Sequence, residues 1–362
     1  MKKIINLSEQ NILFVSRSTQ FGGTEKIIVE MCEVLAPYVN SITVCSFGNI
    51  NVQYLNELGV KHYSIPDIEN KSLKTICSVY KTLSKIVKNE NITIIHSNHR
   101  MAACYSQMLS LRNRFIKIAT AHGVFSNKKW LTRFCYKNTK IIACGDVVKD
   151  NLVNTYLINT NDITVIRNAV KIKRMKNQPI LENSKKNILI GNVGRLSAEK
   201  GQIYFVLAIP DIIKKHPNTL FLIVGDGDER SKLEEVAKNI GVYEYTKFLG
   251  YRDDIINIIS QLDIVALTSL TEGLPLTPIE AFSQGVPVVA TNVGGTSEIV
   301  SDGKNGYLIE PKSVPEIADR INKLIENRDI YANFSAEAKR TYENEYSFEI
   351  FRDRIISYYK NL

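Results

Sequence analysis

The chain has no apolar run approaching the ~18 residues that span a bilayer, although 44% of its 362 residues are hydrophobic. Its six cysteines are widely spaced and form no C-x-x-C pair, which disfavours a zinc site and a disulfide framework. Residues 1–5 start like a signal peptide, but polar residues from Asn6 interrupt the apolar region. We therefore expect a cytoplasmic protein with reduced thiols and no membrane-spanning helix.

Several motifs of nucleotide and hydrolytic enzymes are also missing from the sequence. It contains neither the P-loop pattern G-x-x-x-x-G-K-[ST] nor the hydrolase pattern G-x-S-x-G. After Gly225 and Gly227, Arg230 stands where a dinucleotide fingerprint has its third glycine. Asp226 and Asp228 flank a glycine after a predicted strand, which is typical of turn residues rather than of a metal site. We expect no metal and no cofactor.

Charge is distributed unevenly along the chain. Residues 1–186 contain 27 Lys and Arg against 12 Asp and Glu, whereas residues 187–362 contain 19 against 25. The first half therefore carries a net +15 and the second a net −6, which indicates different partners for the two halves. No nucleic-acid motif accompanies the basic half, so we expect no nucleic acid.

Short apolar segments alternate with helical periodicity in both halves, which predicts parallel sheets covered by helices. A chain of this length fits two domains. The predicted fold is α/β, with two doubly wound Rossmann-like domains facing each other across a cleft. We expect an N-terminal domain over residues 1–170, a linker over 171–186, a second domain over 187–345, and a final helix over 346–362 that packs back on the first domain.

The most informative stretch is residues 269–288, which follow a short apolar strand. Glu272 and Glu280 bracket a loop that enters a helix, and we expect Thr277 to cap that helix with Pro278 in its first turn. The backbone donors available for a phosphate are those of Gly273, Leu274, Leu276 and Thr277. Carboxylates accept hydrogen bonds from sugar hydroxyls, so the pattern suits a sugar nucleotide. Alternatively, Glu280 only closes a capping box and Glu272 is a solvated loop residue.

In the first half, four candidate residues follow predicted strands. Gly22 and Gly23 form a turn between a strand and a helix, and Arg100 and His122 follow two further strands. Side chains at the carboxyl ends of parallel strands face the ligand crevice of such a domain. A hydrogen-bonded structural role remains the alternative for His122, because position in a fold is only an analogy.

Together these motifs resemble the retaining GT-B glycosyltransferases of family 4. The motifs that carry the resemblance are residues 194–201, 225–227, 248–250, Glu272 with Glu280, 293–295, 22–25 and 121–123. The resemblance implies a metal-independent enzyme that transfers a sugar from a UDP-sugar to an acceptor hydroxyl. It further implies a lipid-linked or other saccharide acceptor, as in bacterial surface polysaccharide synthesis.

The resemblance also implies residue roles. Arg195 and Lys200, after Gly194, would hold the diphosphate, and main-chain groups near Phe248 the base. Glu280 would bind the ribose and Glu272 the transferred sugar. In the first half, Gly22, Gly23 and His122 would approach the sugar and phosphate, whereas Arg100 and His122 are candidates for the acceptor.

Two other functions remain open from the sequence. A sugar-nucleotide epimerase on the same fold would turn over the donor without any acceptor. A non-catalytic sugar-nucleotide-binding scaffold subunit would be indicated by loss of the Arg195, Lys200, Glu272 and Glu280 set, and all four residues are present.

The segment 109–140 carries eight basic residues and no acidic residue. Trp130, Arg133, Phe134 and Lys137 fall at helical i, i+3, i+4, i+7 spacing, which predicts a basic and aromatic face. Such a face can lie on an anionic membrane surface. We expect peripheral attachment to the cytosolic face of a membrane, and an inward-packed aromatic stripe is the alternative.

Overall fold

A computed structural model describes residues 5–18, 22–48, 52–172 and 187–362. The chain divides into two units: unit 1 comprises Met1–Asn168 with Glu349–Leu362, and unit 2 comprises Ala169–Phe348. All but the first two residues of the predicted linker lie outside the described residues.

Unit 1 is built on a seven-stranded parallel sheet with the strand order β3-β2-β1-β4-β5-β6-β7. The strands are β1 (Asn11–Ser18), β2 (Ser41–Phe47), β3 (Lys61–Ser64), β4 (Ile94–Ser97), β5 (Ile116–Ala121), β6 (Lys140–Ala143) and β7 (Ile163–Val165). The helices are α1 (Gly23–Leu35), α2 (Val52–Glu57), α3 (Leu73–Asn89), α4 (Arg100–Leu109), α5 (Lys129–Cys135) and α6 (Asp146–Tyr156).

Unit 2 contains a six-stranded parallel sheet with the order β10-β9-β8-β11-β12-β13. Its strands are β8 (Ile188–Val193), β9 (Thr219–Val224), β10 (Thr246–Gly250), β11 (Ile264–Leu267), β12 (Val288–Thr291) and β13 (Gly306–Ile309). Its helices are α7 (Gln202–Ile213), α8 (Arg230–Asn239), α9 (Ile255–Ile259), α10 (Leu276–Ser283), α11 (Thr296–Ile299), α12 (Val314–Glu326) and α13 (Arg328–Thr341).

Hydrophobic burial explains why the central strands form. β4 and β11 are buried along their whole length, as expected for strands covered by helices on both faces. In unit 2 the apolar faces of α7 and α12 pack on the sheet in one core, whose centre includes Phe205 and Phe221 in edge-to-face contact. The two sheets confirm the predicted α/β fold with two doubly wound units.

The last helix, α14 (Phe348–Lys360), belongs to unit 1 from Glu349 onward. Its Tyr359 is fully buried, and the hydroxyl lies 2.6 Å from Nδ1 of His96 on β4. The other ring nitrogen of His96 lies 2.7 Å from the Thr120 hydroxyl on β5. A buried polar group needs such partners, so this network ties the C-terminal helix to the sheet.

One strand of unit 1 was absent from the sequence prediction. β3 reads Lys-His-Tyr-Ser and only its backbone pairing with β2 defines it, since the segment lacks an apolar run. No helix among the described residues is long and apolar enough to cross a membrane.

Candidate functional site

In unit 2, the strand order reverses between β8 and β11, which are hydrogen-bonded neighbours. Ligands of open α/β sheets bind at such a switch point, outside the carboxyl ends of the strands. The loop after β8 carries Arg195 and Lys200, and the loop after β11 carries Glu272. The two loops are joined directly, because the Leu270 N–H donates to the Glu199 carbonyl over 2.8 Å.

Lys200 and Glu272 form an ion pair at this edge, with Nζ 2.7 Å from Oε1. The Glu272 side chain is only 7% exposed and the Lys200 side chain 27%. The Ser269 hydroxyl donates to the same carboxylate oxygen over 2.6 Å. A partly buried pair with a further hydrogen bond has fixed positions, so the structure brings together two residues that the sequence placed 72 positions apart.

Close backbone approaches hold these loops in place. Gly294 has φ +54°, and a Cβ there would lie 1.9 Å from the Glu272 carbonyl oxygen. Gly201 has φ +59°, and a Cβ would lie 2.3 Å from the Thr268 carbonyl oxygen. Only glycine combines a positive φ with the absence of a Cβ, so Gly201 and Gly294 set the distance between the loops after β8, β11 and β12.

The N-terminus of α10 differs from the sequence prediction. The helix begins at Leu276 with Pro275 as its N-cap, and no side chain caps it. The Thr277 hydroxyl instead donates to the Val193 carbonyl at the end of β8, over 3.2 Å. The predicted Thr277 cap is therefore wrong, and so is the capping box with Glu280, because Thr277 already lies inside the helix. The physical reason is that Pro275 supplies the extended N-cap conformation and the Thr277 hydroxyl is used for a tertiary contact.

The first turn of α10 therefore lies at the switch point of unit 2. The N–H groups of Leu276 and Thr277 have no carbonyl one turn earlier in the helix, so they can serve an anion. Gly273 and Leu274 precede them in the same loop, and the Gly273 carbonyl accepts the Gly295 N–H over 2.7 Å. Glu280, one turn further along α10, is buried at 7% exposure.

Arg195 is more exposed than the other predicted site residues of unit 2. Its side chain is 65% exposed and pairs with Glu199 at 2.5 Å. Its carbonyl accepts a 2.9 Å hydrogen bond from the amide of Gln202, which is buried at the start of α7. Gly194, immediately before it, donates its N–H to the Val224 carbonyl at the end of β9. Sequence reasoning missed Gln202 and Ser269, and both are polar residues placed directly beside a predicted loop.

Phe248 lies on β10 at the outer edge of the same sheet. Its ring stacks on Tyr243 with 6.4 Å between centroids. At the end of the strand, the Gly250 carbonyl accepts the Gly225 N–H over 2.9 Å. A Cβ on Gly225 would lie 1.9 Å from the Gly194 carbonyl oxygen, so the loops after β8 and β9 touch backbone to backbone. Main-chain groups of three neighbouring strands therefore line this edge.

In unit 1, the candidate residues follow β1, β4 and β5, which are consecutive in the sheet. His122 follows β5, and its Nε2 lies 3.5 Å from the Asn98 Oδ1. Burial, followed by the charge of His99, lowers the pKa of His122 to about 4, so the ring is neutral at pH 7. The Asn98 amide nitrogen is buried with no hydrogen-bond partner among the described residues. The sequence prediction passed over Asn98, which lies between candidate residues.

The remaining candidates of unit 1 have structural surroundings of their own. Gly22 is the N-cap of α1 and Gly23 its first residue. Arg100 opens α4, and its guanidinium donates to Asn127 Oδ1 and Thr132 Oγ1, each at 3.3 Å. The same group lies 4.9 Å from the centre of the Phe125 ring. All the partners that the structure gives Arg100 are thus uncharged.

No group of three or more His, Cys, Asp or Glu side chains within the described ranges is arranged to hold a metal ion. Metal independence stays a prediction.

Two family models match the chain in succession. The model for Glycosyltransferase Family 4 matches residues 21–174, and the model for Glycosyl transferases group 1 matches residues 173–341. Together they span most of both units. The chain belongs to the GT-B glycosyltransferases of family 4.

Individual relatives agree with this family assignment. The UDP-Gal:alpha-D-GlcNAc-diphosphoundecaprenol alpha-1,3-galactosyltransferase of Escherichia coli is 26% identical over 351 residues, covering 89% of each chain. The N-acetyl-alpha-D-glucosaminyl L-malate synthase of Bacillus anthracis is 25% identical, covering 85% of this chain and 83% of the relative. The Anabaena HepE crystal structure in complex with UDP-glucose has the same fold, with a TM-score of 0.84, 21% identity, and coverage of 98% of this chain and 100% of that one. The protein is thus a glycosyltransferase.

Proposed function

We propose that this glycosyltransferase moves a sugar from a UDP-sugar to an acceptor hydroxyl with retention of anomeric configuration and without a metal ion. One observation carries the donor half of the proposal: the Lys200–Glu272 pair lies at the switch point of unit 2, where α10 begins. A cation and a helix N-terminus suit a diphosphate, and a fixed carboxylate suits sugar hydroxyls. The HepE structure, which has the same fold, contains UDP-glucose.

Each residue of unit 2 has a defined role in this proposal. The bond between the sugar C1 and the diphosphate oxygen breaks, and its electron pair stays on the UDP that leaves. A bond from C1 to the acceptor oxygen forms, and the proton of the acceptor hydroxyl passes to the departing diphosphate oxygen. Lys200 and Arg195 stabilise the negative charge that develops on the diphosphate, together with the N–H groups of Leu276 and Thr277. Glu272 accepts hydrogen bonds from hydroxyls of the transferred sugar. Because cations and helix dipoles supply the positive charge, no metal ion is needed for this step.

Glu280 and Phe248 account for the nucleoside in the proposal. Glu280 is buried on α10, and its carboxylate accepts hydrogen bonds from the ribose hydroxyls. The backbone around Phe248 binds the uracil base, since N–H and C=O groups can match its edge. In unit 1, neutral His122 contacts the transferred sugar, and Gly22 and Gly23 let the backbone approach its phosphate.

For the acceptor, we propose a lipid-linked saccharide reached at an anionic membrane surface. The Escherichia coli relative is named for an acceptor of the class sugar-diphosphate-undecaprenol. Trp130 and Phe134 of α5 are 75% and 40% exposed, so this aromatic face does not pack inward as a core stripe. A basic segment with exposed aromatics favours a lipid surface. The Bacillus anthracis relative, whose name gives L-malate, represents the soluble alternative.

The deciding experiment combines donor binding with turnover. Calorimetry with a panel of UDP-sugars identifies the donor, and product analysis follows with and without a lipid-linked acceptor. Donor turnover only in the presence of acceptor, giving a product of retained configuration, supports the proposal. Conversion of the donor sugar without acceptor would indicate an epimerase, and tight binding without turnover would indicate a scaffold subunit.

Glu280 provides a specific test of the donor site. Glu280→Gln keeps the size of the side chain but loses the charge. UDP affinity should therefore fall by roughly tenfold, which corresponds to the free energy of one charge-assisted hydrogen bond. The matched control is Glu316→Gln, a carboxylate in the first turn of α12 that accepts from Ser313 at 2.9 Å. Unchanged UDP affinity in Glu280→Gln would refute the ribose role.

A further inference from the structure

A small basic cavity lies in unit 1, and all of its lining residues belong to that unit. Its volume is about 280 Å³, near the lower end of small-molecule sites, which begin at roughly 300 Å³. This size suits a phosphate or diphosphate group better than a whole saccharide. The lining residues are Glu69, Lys71, His99, Arg100, Met101, Lys128 and Leu131.

The charges around this cavity are unbalanced. Arg17 lies 2.7 Å from Glu69 and 3.5 Å from Asp67, so those carboxylates already have a partner. Within the described parts of the chain, Lys71, Arg100 and Lys128 are in no ion pair. Arg100 is held only by uncharged groups, as described above. With His99 neutral because burial lowers its pKa, the surroundings keep an excess of two positive charges.

Lys71 and Lys128 both line this cavity. The pKa of Lys128 falls below its ordinary value, first because of Lys71 and then, after desolvation, because of the Arg100 charge. Lys128 also has φ +54° and ψ +49°, a left-handed conformation that disfavours residues with a side chain. Repulsion and backbone strain are thus concentrated at one point of the cavity, and an anion would relieve the repulsion.

Apolar side chains adjoin the same cations. Met101 and Leu131 line the cavity, and the exposed rings of Trp130 and Phe134 lie on α5, directly after Lys128. A phosphate that carries a lipid needs this combination, because the anion meets cations while its chain stays on apolar surface. We propose that this cavity binds the phosphate or diphosphate group of the acceptor, an inference that rests on the proposed transfer to a phosphorylated acceptor.

Trp130 is the only tryptophan of the chain and immediately precedes the lining residue Leu131, so its fluorescence is the signal chosen to follow binding in the full-length protein. Inorganic pyrophosphate should cause a saturable change in that fluorescence at low ionic strength. In Lys71→Ala/Lys128→Gly the dissociation constant should rise by roughly tenfold or more, because two charge-assisted contacts are lost. Glycine at position 128 relieves the left-handed strain, so the variant should remain folded.

The matched control is Lys81→Ala/Lys85→Ala, which removes two cations from a different basic groove of unit 1. It should keep the wild-type dissociation constant for pyrophosphate. No saturable change in the wild type would overturn the proposal. Equal weakening in both double variants would also overturn it, since it would indicate general charge screening.

Two further measurements separate the sources of the phosphate and the two proposals. A polyprenyl diphosphate in phosphatidylcholine vesicles, compared with empty vesicles, should bind more tightly than pyrophosphate if the acceptor is lipid-borne. Equal affinities would support the phosphate site with a water-soluble ligand. Calorimetry of the wild type with UDP-sugar tests the donor site alone. Absence of donor binding together with saturable pyrophosphate binding would refute the transferase proposal and leave the cavity as an anion site without an assigned acceptor.

Discussion

Cations at the edge of the sheet have different partners in the two units. In unit 2, Lys200 and Arg195 each pair with a carboxylate, at 2.7 and 2.5 Å. In unit 1, the cavity brings Lys71, Arg100 and Lys128 together, and none of them is in an ion pair among the described residues. The partly buried Lys200–Glu272 pair fixes its side chains in advance, whereas the cavity of unit 1 holds unbalanced charge. Preorganised charge suits a chemical step, whereas unbalanced charge suits capture of an anion.

The backbone shows a related contrast. Unit 2 has three glycines with positive φ in the loops after its strands: Gly225, Gly227 and Gly294. A Cβ added to any of them would lie within 2.3 Å of a carbonyl oxygen. In unit 1, Gly123 follows β5 with no heavy atom within 4 Å of its Cβ position. Unit 2 therefore depends on close backbone packing around its site, and we expect its site to tolerate fewer substitutions.

The largest expected effect comes from breaking this backbone packing. Gly294→Ala should lower the free energy of unfolding by more than about 3 kcal/mol and abolish UDP-sugar binding, because the new Cβ meets the Glu272 carbonyl. Chemical unfolding and calorimetry measure the two effects. Gly303→Ala is the control: φ is +70° but the space is open, so the loss should be about 1–2 kcal/mol. Equal losses in the two variants would contradict the packing argument.

The next effect tests the fixed charges of unit 2. Lys200→Ala should lose about 2–4 kcal/mol of transition-state stabilisation, which is measured as a lower kcat/KM. Arg195→Ala should lose less transition-state stabilisation, because the Arg195 side chain is 65% exposed. Steady-state kinetics with the identified donor measure both. Lys215→Ala, which removes an exposed pair with Glu326, serves as the control. Near-normal turnover in both site variants would rule out their role at the diphosphate.

A pH titration tests how much the buried histidines of unit 1 contribute to stability. Burial lowers the pKa of His96 to about 3 and of His122 to about 4, against about 6.5 in an unfolded chain. The unfolded state therefore binds more protons below pH 6.5, and the free energy of unfolding falls as the pH decreases towards 4. Each histidine should contribute about 2 kcal/mol of loss between pH 7 and 5.

Urea unfolding of the full chain at pH 7 and pH 5 measures this loss. Between pH 7 and pH 5, the loss of unfolding free energy should be about 2 kcal/mol smaller in His96→Gln than in the wild type. The reason is that glutamine does not titrate, whereas burial lowers the pKa of the His96 ring. The same pH dependence in the variant and the wild type would show that His96 does not carry the effect.

The smallest expected effect concerns the aromatic face of α5. Trp130→Ala/Phe134→Ala should weaken sedimentation with anionic vesicles severalfold, and high salt should weaken it further, since each cation contributes about 1 kcal/mol. Tyr251→Ala, an exposed aromatic of unit 2 at 49% exposure, should bind vesicles like the wild type. Binding that is insensitive to salt and lipid charge would favour the soluble acceptor.

The sequence alone determined the class of fold and the position of most strands, because buried parallel strands appear as short apolar runs. It also placed Lys200 and Glu272 on loops that follow such runs, and the structure brings these two side chains together. It did not indicate β3, which has a polar sequence and forms only by pairing with β2. The family resemblance, rather than periodicity, supplied the roles of the individual residues.

Tertiary structure alone decided the contacts between distant segments. The sequence predicted Thr277 as a cap, but the hydroxyl reaches the Val193 carbonyl at the end of β8, 84 residues away. Likewise, Lys71 and Lys128 became neighbours only when the loops after β3 and β5 met at the edge of one sheet. Local sequence encodes propensity and periodicity within a few turns, whereas such pairs depend on strand order, which arises when the whole chain packs.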